Sequence, residues 1–158
     1  MSSPTRPLVF DSAAQEAFLN LWRTYDRLRV LEEELFARHH LTAQQYNALR
    51  ILKAAAPEML PTLSLAAKLI SRAPDITRLI DHLVAHGWAV RDRRPENRRV
   101  VQVGILHAGN ELLDKIHEEV RQVNQRQLGH LSPEEQRQLI HLLKLARQPH
   151  EPEESAWR

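Results

Sequence analysis

Apolar positions recur with helical spacing along most of this chain. From Ser12 to about Arg38 they form one long stripe: Ala14, Ala17, Phe18, Leu21, Trp22, Tyr25, Leu28, Leu31 and Leu35. Ser12 with Gln15 marks the start, because a serine oxygen at that place accepts from an N–H of the first turn. Thr42 with Gln45 repeats the signature and opens a helix carrying Tyr46, Leu49, Leu52 and Ala55, which ends before Pro57. A short helix over Leu63–Ile70 follows. Ser71-Arg72-Ala73 is then a turn, and a helix over 74–86 presents Ile76, Leu79, Ile80, Leu83 and Val84 on one face. Two helices joined by about three or four residues make a helix-turn-helix unit. Gly87 stops the second helix, since glycine takes the left-handed conformation there without steric cost.

The period then changes. Trp88-Ala89-Val90 and Val100-Val101-Gln102-Val103 read as strands. Between them Arg91–Arg99 holds five arginines in nine residues, with Pro95 in a turn position. A helix from about Ala108 to Gly129 follows, with Leu112, Leu113, Ile116, Val120 and Val123 in phase. Ser132-Pro133-Glu134-Glu135 combines a serine cap, proline at the first helical position and glutamate at the third. The last helix carries Leu139, Leu142, Leu143 and Ala146 and stops near Pro149. Residues 1–10, with Pro4 and Pro7, are expected to be irregular, and the polar tail 148–158 to be disordered. The pattern predicts a mainly α chain with a small β-wing, about six helices in all. The stripes on the first and last two helices exceed what one small lobe can cover, so a dimer is expected.

Composition narrows the class. The 158 residues suit one domain, and 42% hydrophobic with 27% charged residues suits a soluble fold. No apolar run approaches the roughly 20 residues of a membrane span. MSSPTRPLVFDS lacks the basic-then-apolar pattern of a signal peptide, so a cytoplasmic location is expected. With no cysteine, disulfides, thiolate catalysis and thiol redox switching are excluded. The net charge of +2 says little about partners. The basic block at 91–99 says more, because it is a local electrostatic footprint within a near-neutral chain.

A helix followed by a two-stranded ribbon with an arginine-rich tip is how a winged helix-turn-helix addresses DNA. Arg93, Arg94, Arg98 and Arg99 are therefore candidates for phosphate and minor-groove contacts. Ser71, Arg72, Asp75, Thr77 and Arg78 occupy the first turns of the recognition helix, whose side chains reach base edges. Arg72 and Arg78 suit guanine or phosphate. Thr77 suits packing or a phosphate, and Asp75 also suits a favourable charge at the helix start. Trp22, Tyr25 and Tyr46 are candidates for a ligand pocket, with plain core packing as the alternative. No metal site or cofactor is expected: His39 and His40 are adjacent, and neighbours on a helix point apart. Nothing pairs a nucleophile with a base, and none of the four glycines forms a phosphate cradle, so an enzyme is not expected. The rival reading is a dimeric winged-helix protein-interaction module without DNA binding.

With those residues in place, the chain resembles the MarR family of transcriptional regulators over roughly residues 12–147. LTAQQYNALRIL resembles the family's second helix, LSLAAKLISRAPDITRLIDHLVAHGW its helix-turn-helix, VRDRRPENRRVVQV its wing and LSPEEQRQLIHLLKL its last helix. The resemblance implies a homodimer built by helices 12–40 and 107–147, with a DNA-binding lobe at 42–105. It implies a pseudo-palindromic double-stranded DNA operator. It also implies repression relieved by a small aromatic or anionic effector. By the same analogy Arg99 would brace the wing by pairing with Asp81. Two positions depart from the family pattern. Asn97 stands where an aspartate is usual, and Leu106-His107 where a threonine cap is usual.

Overall fold

The computed structural model describes residues 8–71, 73, 75–93, 95–96 and 99–158. Six α-helices and a three-stranded antiparallel sheet follow in order: α1 Ala13–Arg38, α2 Ala43–Ala55, β1 Leu60–Pro61, α3 Thr62–Lys68, α4 Ile76–Ala85, β2 Ala89–Arg93, β3 Val101–Ile105, α5 His107–Leu128 and α6 Pro133–Arg147.

The caps explain most of these boundaries. Ser12 Oγ accepts from the Gln15 N–H, while the Gln15 side chain returns to the N–H of Asp11. Thr42 with Gln45 and Ser132 with Glu135 form reciprocal capping boxes, each satisfying two N–H groups that the helix leaves unpaired. α5 starts without a side-chain cap at Leu106, as the missing threonine implies. Instead the Leu106 N–H donates to Trp88 O at 2.9 Å, which ties the helix start to the strand region.

The sheet has the order β1-β3-β2. β2 and β3 pair with Ala89 opposite Ile105 and Arg93 opposite Val101, so both strands run further than the apolar pattern alone suggests. β1 is two residues long and was not expected; Leu60 pairs with Val103 and Pro61 with Gln102. Thr62 Oγ1 adds a bond to Val101 O at 3.1 Å.

One core joins these elements. Leu35 and Phe36 of α1, Leu49 and Leu52 of α2, Leu65 of α3, Ile80 and Leu83 of α4, Val103 of β3 and Ile116 of α5 are all buried. Each such side chain contributes roughly 1.5–3 kcal/mol of transfer free energy. The core stops short of both chain ends. α6 has no buried residue, and Phe18, Leu21, Trp22 and Tyr25 on the first half of α1 are exposed. Among the described residues, no helix is long and apolar enough to cross a membrane.

The segment after α6, expected to be disordered, is instead folded. A 3-10 turn at Gln148–His150 leads it back toward α3, where the Trp157 indole N–H reaches Lys68 O at 3.3 Å. Trp157 helps to anchor the segment, since an indole covers apolar surface with a large ring and brings its own donor.

Candidate nucleic-acid interface

α4 is set in place from both ends. Asp75 has a non-helical backbone (φ −129°, ψ 74°) and its carboxylate accepts from the Arg78 N–H at 2.9 Å, so the helix begins at Ile76, two residues later than the apolar pattern suggests. That bond makes Asp75 the cap of the helix and engages the group that was a candidate for DNA contact. At the other end the Gly87 N–H donates to Val84 O and the Trp88 N–H to Leu83 O, both at 3.0 Å, with Gly87 at φ +70°. This is the paired C-terminal motif that a left-handed residue permits.

With Ile80 and Leu83 fixed in the core, the opposite face of α4 is decided. Thr77, Arg78 and Asp81 are exposed and fall at three- and four-residue spacing on one side. Ser71, in the turn before α4, is also exposed, and its carbonyl accepts from Gln44 Nε2 at 3.3 Å. The turn is thereby tied to α2. Arg72 lies outside the described residues.

The hairpin of β2 and β3 stands beside this face. Arg91 of β2 forms an ion pair with Asp81 of α4. The pair is solvent-exposed, so its worth is positional more than energetic. Asp81 is thus tied to the wing through Arg91, a residue that sequence reasoning did not name for the brace. Arg93 closes β2 with an exposed side chain, its N–H bonded to Asp92 Oδ1 at 2.7 Å. Arg99 is exposed at the far side of the tip. Arg94, Asn97 and Arg98 lie outside the described residues.

A third support was not anticipated. His82 Nε2 lies 3.0 Å from the carbonyl of His40, in the α1–α2 turn, where His40 itself has φ +58°. His86 Nδ1 lies 2.9 Å from His82 O, and each nitrogen must carry a proton to make its bond. The His86 ring stacks on Trp88 at 4.4 Å and meets His82 at 4.2 Å. The four-residue spacing of His82 and His86 is the sequence signal that finds this stack. It buttresses the end of α4 against α2's entry turn and β2's start.

The three aromatic pocket candidates are not brought together. Tyr46 stacks on Phe36 with ring centroids 4.5 Å apart, and partial burial pushes its hydroxyl pKa above the ordinary tyrosine value. Trp22 and Tyr25 are exposed further back on α1. Phe36 is eleven residues beyond Tyr25, which on a helix is roughly 16 Å. What the exposed aromatics share is a surface. Phe18, Trp22 and Tyr25 line α1; Ile140, Leu142 and Leu145 line α6. A groove of about 700 Å³ between α5 and α6 includes Leu128, Leu139, Ile140 and Leu143.

Comparison with known proteins accords with this geometry. A family model, MarR family, matches residues 41–101, which span α2, the helix-turn-helix and most of the hairpin. The chain is 32% identical over 143 residues to the uncharacterized HTH-type transcriptional regulator YkoM of Bacillus subtilis, covering 88% of this chain and 92% of that one. It is 52% identical to a MarR transcription factor of Planctomyces limnophilus of solved structure, covering 87% of this chain and 99% of that one, with a TM-score of 0.69. Sco3205 of Streptomyces coelicolor, a MarR family transcriptional regulator solved in complex with DNA, shares the fold at 18% identity, covering 97% of this chain and 98% of that one with a TM-score of 0.80.

Proposed function

This chain belongs to the MarR family of transcriptional regulators, and on that premise we propose that it binds a pseudo-palindromic double-stranded DNA operator as a homodimer and acts as a repressor in the cytoplasm. The observation that carries the reading is the coupling of two DNA-facing parts: the exposed Thr77–Arg78–Asp81 face of α4 and the arginine-bearing hairpin, tied by the Asp81–Arg91 pair. A helix of this size enters the major groove and reads base edges, while a hairpin tip reaches phosphates and the minor groove. Ser71, Thr77 and Arg78 are the reading side chains of this proposal, with Arg72. Arg93 and Arg99, with Arg94 and Arg98, serve the backbone.

Dimerisation supplies the second half-site. α6 without a buried residue and α1 with its exposed aromatics have the composition of an interface and not of a free surface. The proposed dimerisation segments are 12–40 and 107–147. Release of DNA by a small aromatic or anionic effector completes the proposal. With no cysteine, a thiol switch is unavailable, and an effector acts through its differential affinity for two dimer geometries.

The test is fluorescence anisotropy with the duplex upstream of the chain's own coding region against a scrambled duplex of equal length. Tighter binding to the upstream duplex supports the proposal; equal binding to both, or none, favours the rival interaction module. For the effector arm, DNA must weaken the effector by the same factor by which the effector weakens DNA.

A further inference from the structure

The segment after α6 makes a set of contacts that neither DNA recognition nor dimerisation explains. Its Trp157 is the meeting point of two elements. The Arg147 guanidinium, at the end of α6, lies 5.8 Å from the Trp157 ring centroid, and Arg147 Nε donates to Trp157 O at 2.8 Å. On the other side the indole Nε1 donates to Lys68 O, 89 residues away. Lys68 is the last residue of α3, and its carbonyl is one of those a helix leaves without an internal partner. The intervening residues hold a fixed turn. Ser155 Oγ donates to Glu151 Oε2 at 2.6 Å, the Trp157 N–H donates to Ser155 Oγ at 3.1 Å, and Arg147 Nε stands 3.9 Å from Glu151 Oε1. Ala156 and the Trp157 ring form one wall of a groove of about 430 Å³ whose other walls are Ile51, Ala54, Ala55, Leu60 and Lys68.

We infer that the groove between α2, β1 and α3 is a docking surface for this chain's own residues 148–158, which thereby strap the helix-turn-helix to the dimerisation helix α6 and pre-order it for DNA. The inference rests on the DNA-binding reading above. Its physical basis is the position of the anchor. α3 is seven residues long, too short to hold its last turn unaided, and the turn carrying Ser71 begins three residues after Lys68. A donor from Trp157 on one side and Gln44 Nε2 on Ser71 O on the other fix that turn from both flanks. A segment ordered before DNA arrives loses less conformational freedom on binding. The cation–π contact joins the strap to α6 and so ties the reading head to the proposed dimer spine.

The test uses the full chain and four variants: Trp157→Ala, Trp157→Phe, Arg147→Ala and the double variant Arg147→Ala with Trp157→Phe. Amide hydrogen exchange reads the end of α3 directly. Trp157→Ala is expected to speed exchange at Leu69 about three- to tenfold, with the dimer unchanged by sedimentation. Operator affinity is expected to fall about three- to tenfold in Trp157→Ala. Trp157→Phe, which keeps an aromatic ring and loses the donor, should lie between it and the native chain. Arg147→Ala should make Trp157 more accessible to acrylamide, read as the difference between the Trp157 and Trp157→Phe forms of that variant. Unchanged exchange at Leu69 in both Trp157 variants overturns the strap. Tighter or unchanged operator binding with faster exchange overturns its pre-ordering role. If the native chain binds no operator, the DNA-binding reading fails on its own, and the exchange measurement still decides whether the segment is docked.

Discussion

Replacing Trp22 by alanine tests whether the exposed helix faces are an interface. In the isolated chain Trp22 is 62% exposed, and its described ring neighbour is Phe18, at 6.3 Å, itself 62% exposed. A tryptophan presents up to about 250 Å², so roughly 150 Å² of this side chain remains for a partner to cover. At about 25 cal/mol per Å² that is nearly 4 kcal/mol per copy. A two-fold interface uses the same patch twice, so the upper bound for the dimer is about twice that. Alanine retains the Cβ, and a tryptophan near the rim is not fully covered, so about 3 kcal/mol per dimer is the conservative figure. Each 1.4 kcal/mol is tenfold, so the dimer dissociation constant should rise at least about 100-fold. Sedimentation equilibrium over a dilution series measures it, with far-UV circular dichroism confirming an unchanged lobe. A constant within threefold of the native one, or a native chain that is monomeric at micromolar concentration, would refute the argument.

Three further outcomes follow from the geometry. Arg78→Ala should cost roughly 1–3 kcal/mol on the operator and less on random duplex, whereas Arg93→Ala should weaken both alike and make the slope of log K against log salt shallower by about one; anisotropy titrations at several salt concentrations separate the two. Gly109→Ala should destabilise the fold by about 1–3 kcal/mol in denaturant titration, because a Cβ there would lie 2.4 Å from Trp88 O, a backbone atom that cannot swing aside. Hydrogen bonds from the Ser132 backbone and then its side chain hold the Glu135 carboxyl below its ordinary value of 4.5. A depressed carboxylate stabilises the fold above that value and ceases to do so as pH falls through the depressed one. Glu135→Gln should therefore melt slightly below the native chain at neutral pH, and the gap should close in acid.

What was legible in the sequence is what is decided locally. Ser12, Thr42 and Ser132 announce their helices because a cap involves residues three apart. Gly87 announces the end of α4 because its φ is a single-residue property. The exposed arginines of the hairpin follow from counting. What was not legible depends on contacts across the chain. β1 is two residues whose only strand credential is β3, some forty residues later. Asp75 begins α4 late because its carboxylate finds the Arg78 N–H, a choice that the apolar period cannot register. Arg91 reaches Asp81 because β2 runs alongside α4, which no spacing rule states. Trp22 and Tyr25 are neighbours on the exposed half of α1, whereas Tyr46 stands on α2 and stacks on Phe36, eleven residues further along α1. Trp157 stands among prolines, glutamates and a serine that read as a solvated tail, and its partner is in α3.

The contact at Gly109 has a consequence for the DNA. The missing side chain lets α5 lie against the Trp88 carbonyl, which already accepts from the Leu106 N–H. There is no room for a side chain at that joint. In the homodimer proposed above, the hairpin and the spine would turn together, and the two reading heads would act as callipers with a stiff arm. B-form DNA advances about 3.4 Å and turns roughly 35° with every base pair, so one pair inserted between half-sites moves the second site both outward and around. Stiff callipers cannot follow that screw motion without losing contact on one side. A dimer built in this way is expected to read the distance between two sequences as strictly as it reads the sequences themselves.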